Sequence, residues 1–218
     1  MWHRDAVGGM WEEIGKLQFD FLVGQGLRPE HYLLDVGCGS LRGGVHFVGY
    51  LQAGHYFGID ISKELLDAGR EELNGYKLAH KRPILVQMDN FDFTKLNQKF
   101  DFALAQSVFT HLPLNSIIRC IINIGKVLVE EGRFYATFFE NPQGKFNLEP
   151  VIHSRVDGPD FPTYFDKDPY HYDFETFKSI CERTNLRVEY IGGWGHPRDQ
   201  RMMVFINERA ALSIIREA

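Results

Sequence analysis

The chain predicts an α/β fold: a three-layer sandwich with a mostly parallel sheet of seven strands, a terminal antiparallel hairpin, and helices on both faces. Three observations carry this expectation. Short apolar runs of strand length alternate with segments of helical period from His31 to Phe139. The first of these runs, Leu33–Val36, empties into a glycine turn and then a helix-like segment. The last two runs, Arg187–Ile191 and Met202–Ile206, have only Gly192–Arg201 between them. That is short for a parallel crossover, which takes a dozen or more residues, so these two strands should be antiparallel neighbours.

Each element has its own signal. In Trp11–Leu22, Trp11, Ile14, Leu17, Phe21 and Leu22 fall near one helical face, with Gln18 on the edge of the stripe. Gln18 there reads either as a rim residue or as one facing a pocket that the helix covers. Gly24, Gly26 and Pro29 end this helix. His31–Val36 reads as the first strand and Leu41–Leu51 as a helix, and Tyr56–Asp60 is the second strand. Ser62 can cap a helix running to about Asn74. Pro83–Met88 and Phe100–Ala105 are further strands. Leu114–Val129 has a strong helical period, and Gly132–Phe139 is the fifth strand. Residues 141–172 show no period but many aromatics, Phe146 among them, which argues for an ordered covering loop. Asp173–Arg183 reads as the last helix.

Composition bounds the function. With 218 residues and 44% hydrophobic content, one domain can bury a full core, and 1–218 is expected to be that domain. A net charge of −5 argues against a nucleic-acid partner. No apolar run approaches the roughly 20 residues of a membrane span, and Met1–Asp5 lacks the blocks of a signal peptide. Three cysteines, Cys38, Cys120 and Cys181, suit reduced thiols and a cytoplasmic setting. His153, Asp157, Asp160, Asp166, Asp168 and His171 offer no ligand spacing on a regular element, so no metal is expected.

The glycine turn carries the chemistry. In Asp35–Val36–Gly37–Cys38–Gly39–Ser40–Leu41–Arg42, the third glycine of a dinucleotide fingerprint is missing, and Arg42 stands in its place. Asp35 beside the turn would repel a pyrophosphate and suits a ligand bearing an amine. Asp60, at the end of the second strand, is placed to accept both hydroxyls of a ribose.

In these motifs the chain resembles the class I S-adenosylmethionine-dependent methyltransferases. The likeness rests on Asp35-x-Gly37-x-Gly39, Asp60, Asp89–Asn90 after the third strand and Gln106–Leu112 after the fourth, all in register. Val7–Trp11 and Gly193–Gln200 look like a bacterial subgroup of such enzymes often met near glycan genes. The resemblance implies a Rossmann-like domain. Residues 1–30 would form a helical lid, 31–140 the cofactor core, 141–172 a substrate-covering loop, and 173–218 the terminal helix and strands. It also implies S-adenosylmethionine as cofactor and S-adenosylhomocysteine as product. Gly37 and Gly39 would lie under the methionine and ribose, Asp35 would hold the ammonium, and Asp60 with Ile61 the ribose. Asp89, Asn90 and Phe91 would meet the adenine, and Gln106 and Ser107 would close over the methionine.

The acceptor is expected to be a small molecule or a sugar, methylated at oxygen, with the protein a monomer or homodimer. A hydroxyl nucleophile needs a base, and histidine is the common choice. His111 is the candidate base and acceptor contact. His196 and Arg198 are further acceptor contacts suited to a polar or anionic substrate. Two alternatives stand beside this reading: a nicotinamide (NAD)-dependent oxidoreductase and a non-catalytic nucleoside-cofactor-binding protein.

Overall fold

The computed structural model describes residues 2–142 and 147–208, so Phe146 lies outside the described residues. Two N-terminal helices, α1 (Trp2–Ala6) and α2 (Trp11–Gly24), precede β1 (Leu33–Val36). There follow α3 (Gly44–Tyr50), β2 (Tyr56–Asp60), α4 (Lys63–Gly75), β3 (Ile84–Gln87), β4 (Phe100–Ala105), α5 (Leu114–Gly125) and β5 (Leu128–Glu140). Three short strands come next, β6 (Val151–His153), β7 (Phe161–Thr163) and β8 (His171–Tyr172). The described chain closes with α6 (Phe174–Cys181), β9 (Leu186–Gly193) and β10 (Arg201–Asn207).

The main sheet runs β3-β2-β1-β4-β5-β10-β9, with β8 added alongside the end of β5. From β3 to β5 every pairing is parallel, and β10 runs antiparallel to both β5 and β9, as the short connection requires. Parallel strands covered on both faces are apolar throughout, and all four residues of β1 are buried. The chain winds outward from β1 in one direction through β2 and β3, and in the other through β4 and β5. Ligands of such sheets bind at the carboxyl ends of the strands flanking this reversal. Here those ends carry the glycine turn and the loop from Gln106.

Alternation along the strands divides the core. On one face Phe134, Phe138 and Phe205 meet Ile117, Ile121 and Phe177 of α5 and α6. On the other, Leu104, Tyr135 and Met202 meet Leu22, Phe47 and Leu66 of α2, α3 and α4. Ser62 caps α4, its Oγ accepting from the Leu65 N–H at 3.2 Å, and Asp173 caps α6 by accepting from Thr176.

The structure departs from the sequence expectation in two places. The helix expected through Val129 stops at Gly125, and β5 begins at Leu128 instead of Gly132. The apolar pair Leu128–Val129 fits either period. Pairing of Leu128 with Phe100 makes it strand, and the register then shifts so that Phe102 faces Arg133. Gly132 sits in this bulge, where a Cβ would come 2.8 Å from the Val129 carbonyl oxygen. Secondly, 141–172 is not a plain loop. β6 and β7 form a hairpin, and β8 joins the main sheet with Phe139 opposite His171. Strands of two or three residues are too short to show a period.

Candidate active site

Gly37 and Gly39 both have positive φ, +69° and +54°, where a side chain is strained. Space forbids one as well: a Cβ on Gly37 would lie 2.5 Å from Val108, and one on Gly39 2.7 Å from Val7. The second contact brings the segment after α1 down onto the turn. Asp60 fixes the turn from the other side. Its Oδ2 accepts from the Gly39 N–H and its Oδ1 from the Ser62 N–H, each at 2.8 Å. The turn and the end of β2 are therefore one unit.

Behind the turn Asp35 is buried and accepts a 2.6 Å hydrogen bond from the Tyr56 hydroxyl. Burial pushes its carboxyl up to about 7, and Asp60 adds to that, while Tyr56 and Arg42 pull the other way. Burial, with Asp35 and Asp60 nearby, pushes the Cys38 thiol up as well, so Cys38 is packing material and not a nucleophile.

Arg42, read in the sequence only as the residue that spoils a fingerprint, is a buried cation in the same wall. It donates to the Gly9 carbonyl at 2.8 Å and to Gln106 Oε1 at 3.0 Å. Its buried Nε has no partner, and it forms no ion pair among the described residues. Burial and then Arg198 lower it to about 10.

These groups surround a cavity of about 420 Å³. Of the residues singled out in the sequence, Asp35, Gly37, Gly39, Asp60, Gln106, Ser107, His111 and Arg198 line it, and so does Gln18. Gln18 thus takes the pocket-facing alternative, with its Oε1 where a Cβ on Gly43 would fall.

Ile61, Asp89, Asn90 and Phe91 lie outside this lining. They follow β2 and β3 on the same edge of the sheet, since Asp60 pairs with Gln87 and its carbonyl accepts from the Met88 N–H. Ile61 is 68% exposed beside Asp60, while Asn90 Oδ1 accepts from the Asp92 N–H in a local turn. His196 does not line the cavity either. Its ring is buried behind Gln106, 3.1 Å from that amide nitrogen, and stacks on Trp194. Burial, with Arg42 and Arg198 near, lowers it to about 3, so it is neutral at physiological pH.

His111 stands at the cavity with Nδ1 2.6 Å from Asp168 Oδ1, and both side chains are more than half exposed. Asp168 therefore holds the ring by its Nδ1 side. Asp168 belongs to 141–172, a segment without a readable period, and so do Arg155, Phe161 and Pro169 of the cavity wall. Phe139 and Gln200 complete the wall. Among the described residues no cluster of His, Cys, Asp or Glu could hold a metal ion, and no helix is long and apolar enough to cross a membrane.

Residues 34–134 match the model of a methyltransferase domain. The matched stretch holds the glycine turn, Asp60 and the loop from Gln106, the motifs in which the chain resembles the class I S-adenosylmethionine-dependent methyltransferases. A similar sequence is an uncharacterized protein of Methanocaldococcus jannaschii, 32% identical over 108 residues, which are 46% of this chain and 28% of that one. The chain thus spans well under half the length of this relative. Among solved structures it resembles an S-adenosylmethionine-dependent methyltransferase from Clostridium acetobutylicum, with a TM-score of 0.67, 12% identity and 94% of each chain covered. It also resembles the magnesium protoporphyrin IX methyltransferase of Synechocystis with bound S-adenosylmethionine. There the TM-score is 0.62 at 14% identity, covering 90% of this chain and 81% of that one. Likenesses this distant speak to the fold.

The Synechocystis structure holds S-adenosylmethionine, and the donors of this cavity suit such a ligand. A methionine end carries an ammonium and a carboxylate, and Asp35 and Arg42 offer one charge for each. Among the described residues no carboxylate makes a salt bridge with Arg42, Asp35 acting on it only at longer range, and a buried cation so weakly paired is costly.

Proposed function

We propose that this methyltransferase moves a methyl group to an oxygen of a small-molecule or sugar acceptor, with His111 as the base. The observation that carries this reading is that one cavity joins an ammonium, carboxylate and ribose cradle to an oriented His111–Asp168 pair. In this reading Asp35 holds the methionine ammonium and Arg42, beside Gln18, its carboxylate. Asp60 accepts from the ribose hydroxyls with the oxygen lone pairs not used by Gly39 and Ser62. The exposed Ile61 side chain and Phe91 supply apolar surface for the adenine, whose exocyclic amine would donate to Asp89. Gln106 and Ser107 close the methionine side. Residues 1–30 and 141–172 then cover the site.

S-adenosylmethionine supplies an electrophilic methyl on a sulfonium. The protein's part is alignment and proton removal. Holding the acceptor oxygen in line with the bond that breaks can supply roughly 7–11 kcal/mol at best. His111 Nε2 takes the hydroxyl proton as the oxygen attacks, and Asp168 stabilises the imidazolium that forms.

Ligand-induced melting shifts test the cofactor half. At a hundred times its dissociation constant, S-adenosylhomocysteine should stabilise the protein by about 2.7 kcal/mol, and NAD should leave it unchanged. A shift with NAD alone would favour an oxidoreductase. Normal cofactor binding without turnover on any hydroxylated acceptor would favour the non-catalytic alternative.

A further inference from the structure

The cavity wall is electrically two-ended. Asp35 and Asp60 mark the glycine-turn end, whereas Arg42, Arg155 and Arg198 stand in the rest of the wall. The acid between the last two is Asp157. Arg155 Nε donates to its Oδ1 at 2.8 Å, and Arg198 Nη2 to its Oδ2 at 2.6 Å. Those two hydrogen bonds hold Asp157 well below the usual carboxylate range, so it is ionised. One carboxylate against two guanidiniums leaves a net positive charge. It also leaves donors over. Arg155 spends only its Nε on Asp157. Arg198 spends Nη2 on Asp157 and the Gly8 carbonyl, and its Nε reaches Asp157 at 3.5 Å. Among the described residues, the two terminal nitrogens of Arg155 and Nη1 of Arg198 have no protein partner.

Like charges are also crowded. Arg198 lies near enough to Arg42 to depress it. Two guanidiniums facing one cavity repel each other unless something negative enters. If Arg42 takes the methionine carboxylate, Arg155 and Arg198 remain for a second anion. Planar forks of N–H donors match carboxylate and phosphate oxygens pairwise. The same wall carries apolar surface from Phe139, Phe161 and Pro169, with the two phenyl rings edge-on at 5.2 Å.

We infer that the acceptor is a hydroxylated organic anion whose carboxylate or phosphate is held by Arg155 and Arg198. The inference rests on the methyl-transfer reading above. It makes Arg155, which no motif marks, a determinant of acceptor specificity.

Calorimetric titration of the protein tests it in two stages. S-adenosylhomocysteine is titrated first, and failure to bind would remove the cofactor reading before any acceptor is tried. The complex is then titrated with two matched pairs: 4-hydroxybenzoate against 4-hydroxybenzamide, and glucose 6-phosphate against glucose. One anion should bind at least about tenfold more tightly than its neutral twin, and which one does so tells carboxylate from phosphate. Arg155→Gln should erase that preference, and Arg155→Lys should restore part of it, with S-adenosylhomocysteine affinity the same in all three proteins. The inference is overturned if neither anion outbinds its neutral twin, or if Arg155→Gln keeps the preference.

Discussion

The two ends of the cavity are built in different ways. The glycine-turn end comes from one short stretch of parallel sheet: Asp35 in β1, Gly37 and Gly39 just after it, and Asp60 at the end of β2. Its contacts join neighbouring strand ends, such as the 2.8 Å bond from Gly39 to Asp60. The arginine end gathers segments far apart in the chain. Arg198 reaches the Gly8 carbonyl 190 positions away, and Arg42 reaches that of Gly9. Asp157 joins the hairpin of β6 and β7 to the connection between β9 and β10. The first end is fixed by the sheet. The second exists only once four segments far apart in the chain have met.

The sharpest way to break this contrast is Asp60→Ala. In the proposed binding mode it removes two charge-assisted bonds to the ribose, roughly 1.5–3 kcal/mol each, and it leaves the Gly39 and Ser62 N–H groups without their acceptor. S-adenosylhomocysteine affinity should fall by several orders of magnitude and the melting temperature should drop. Unchanged affinity in calorimetry would refute the ribose role.

His111→Gln probes the other side of the cavity. Turnover should fall about 10²–10⁴-fold, while cofactor affinity measured on the same preparation stays put. Equal losses in both would make His111 a cofactor contact. Asp168→Asn should show a smaller loss of the same kind.

Gly37→Ala tests the rigidity of the turn. The left-handed backbone costs about 1–2 kcal/mol for an L residue, and the close Val108 methyl adds to that. Denaturant unfolding should register the loss, and an unaltered midpoint would show that the turn yields more than its contacts suggest.

The smallest effect concerns pH. Asp35 is raised to about 7 by burial. The stability this gives the ligand-free protein is complete below the unfolded carboxyl value, about 3.9, and is lost as pH rises through about 7. An ammonium ligand needs the ionised form. S-adenosylhomocysteine should therefore bind more tightly as pH rises from 6 towards 8, by about tenfold at most, and then level off. Titrations at several pH values should lose this trend in Asp35→Asn.

The same contrast explains what could be read early. Strands β2 and β4 were legible to the residue, because apolar runs between turn signals are local information. Asp35, Gly37, Gly39 and Asp60 were legible because a strand end, a glycine turn and the next strand end lie within 26 residues. The sequence leaves Gln18 between rim and pocket, since a helical wheel gives a face but not what lies opposite. Arg42 drew notice only for what it was not. Arg155 and Asp168 sat in a segment without a period. His196 was expected at the acceptor and instead lies buried behind Gln106, neutral, against Trp194. Its residue type was informative, but its depth was not written in its neighbours.

By itself, the sequence determined the parallel α/β core, its antiparallel ending and the acid-and-glycine cradle, because each follows from the periodicity and strand-end chemistry of a single stretch. Only the tertiary structure decided that Arg42, Arg155 and Arg198 share one cavity with the His111–Asp168 pair. Charge across a cavity depends on which distant segments meet, and no local pattern records that.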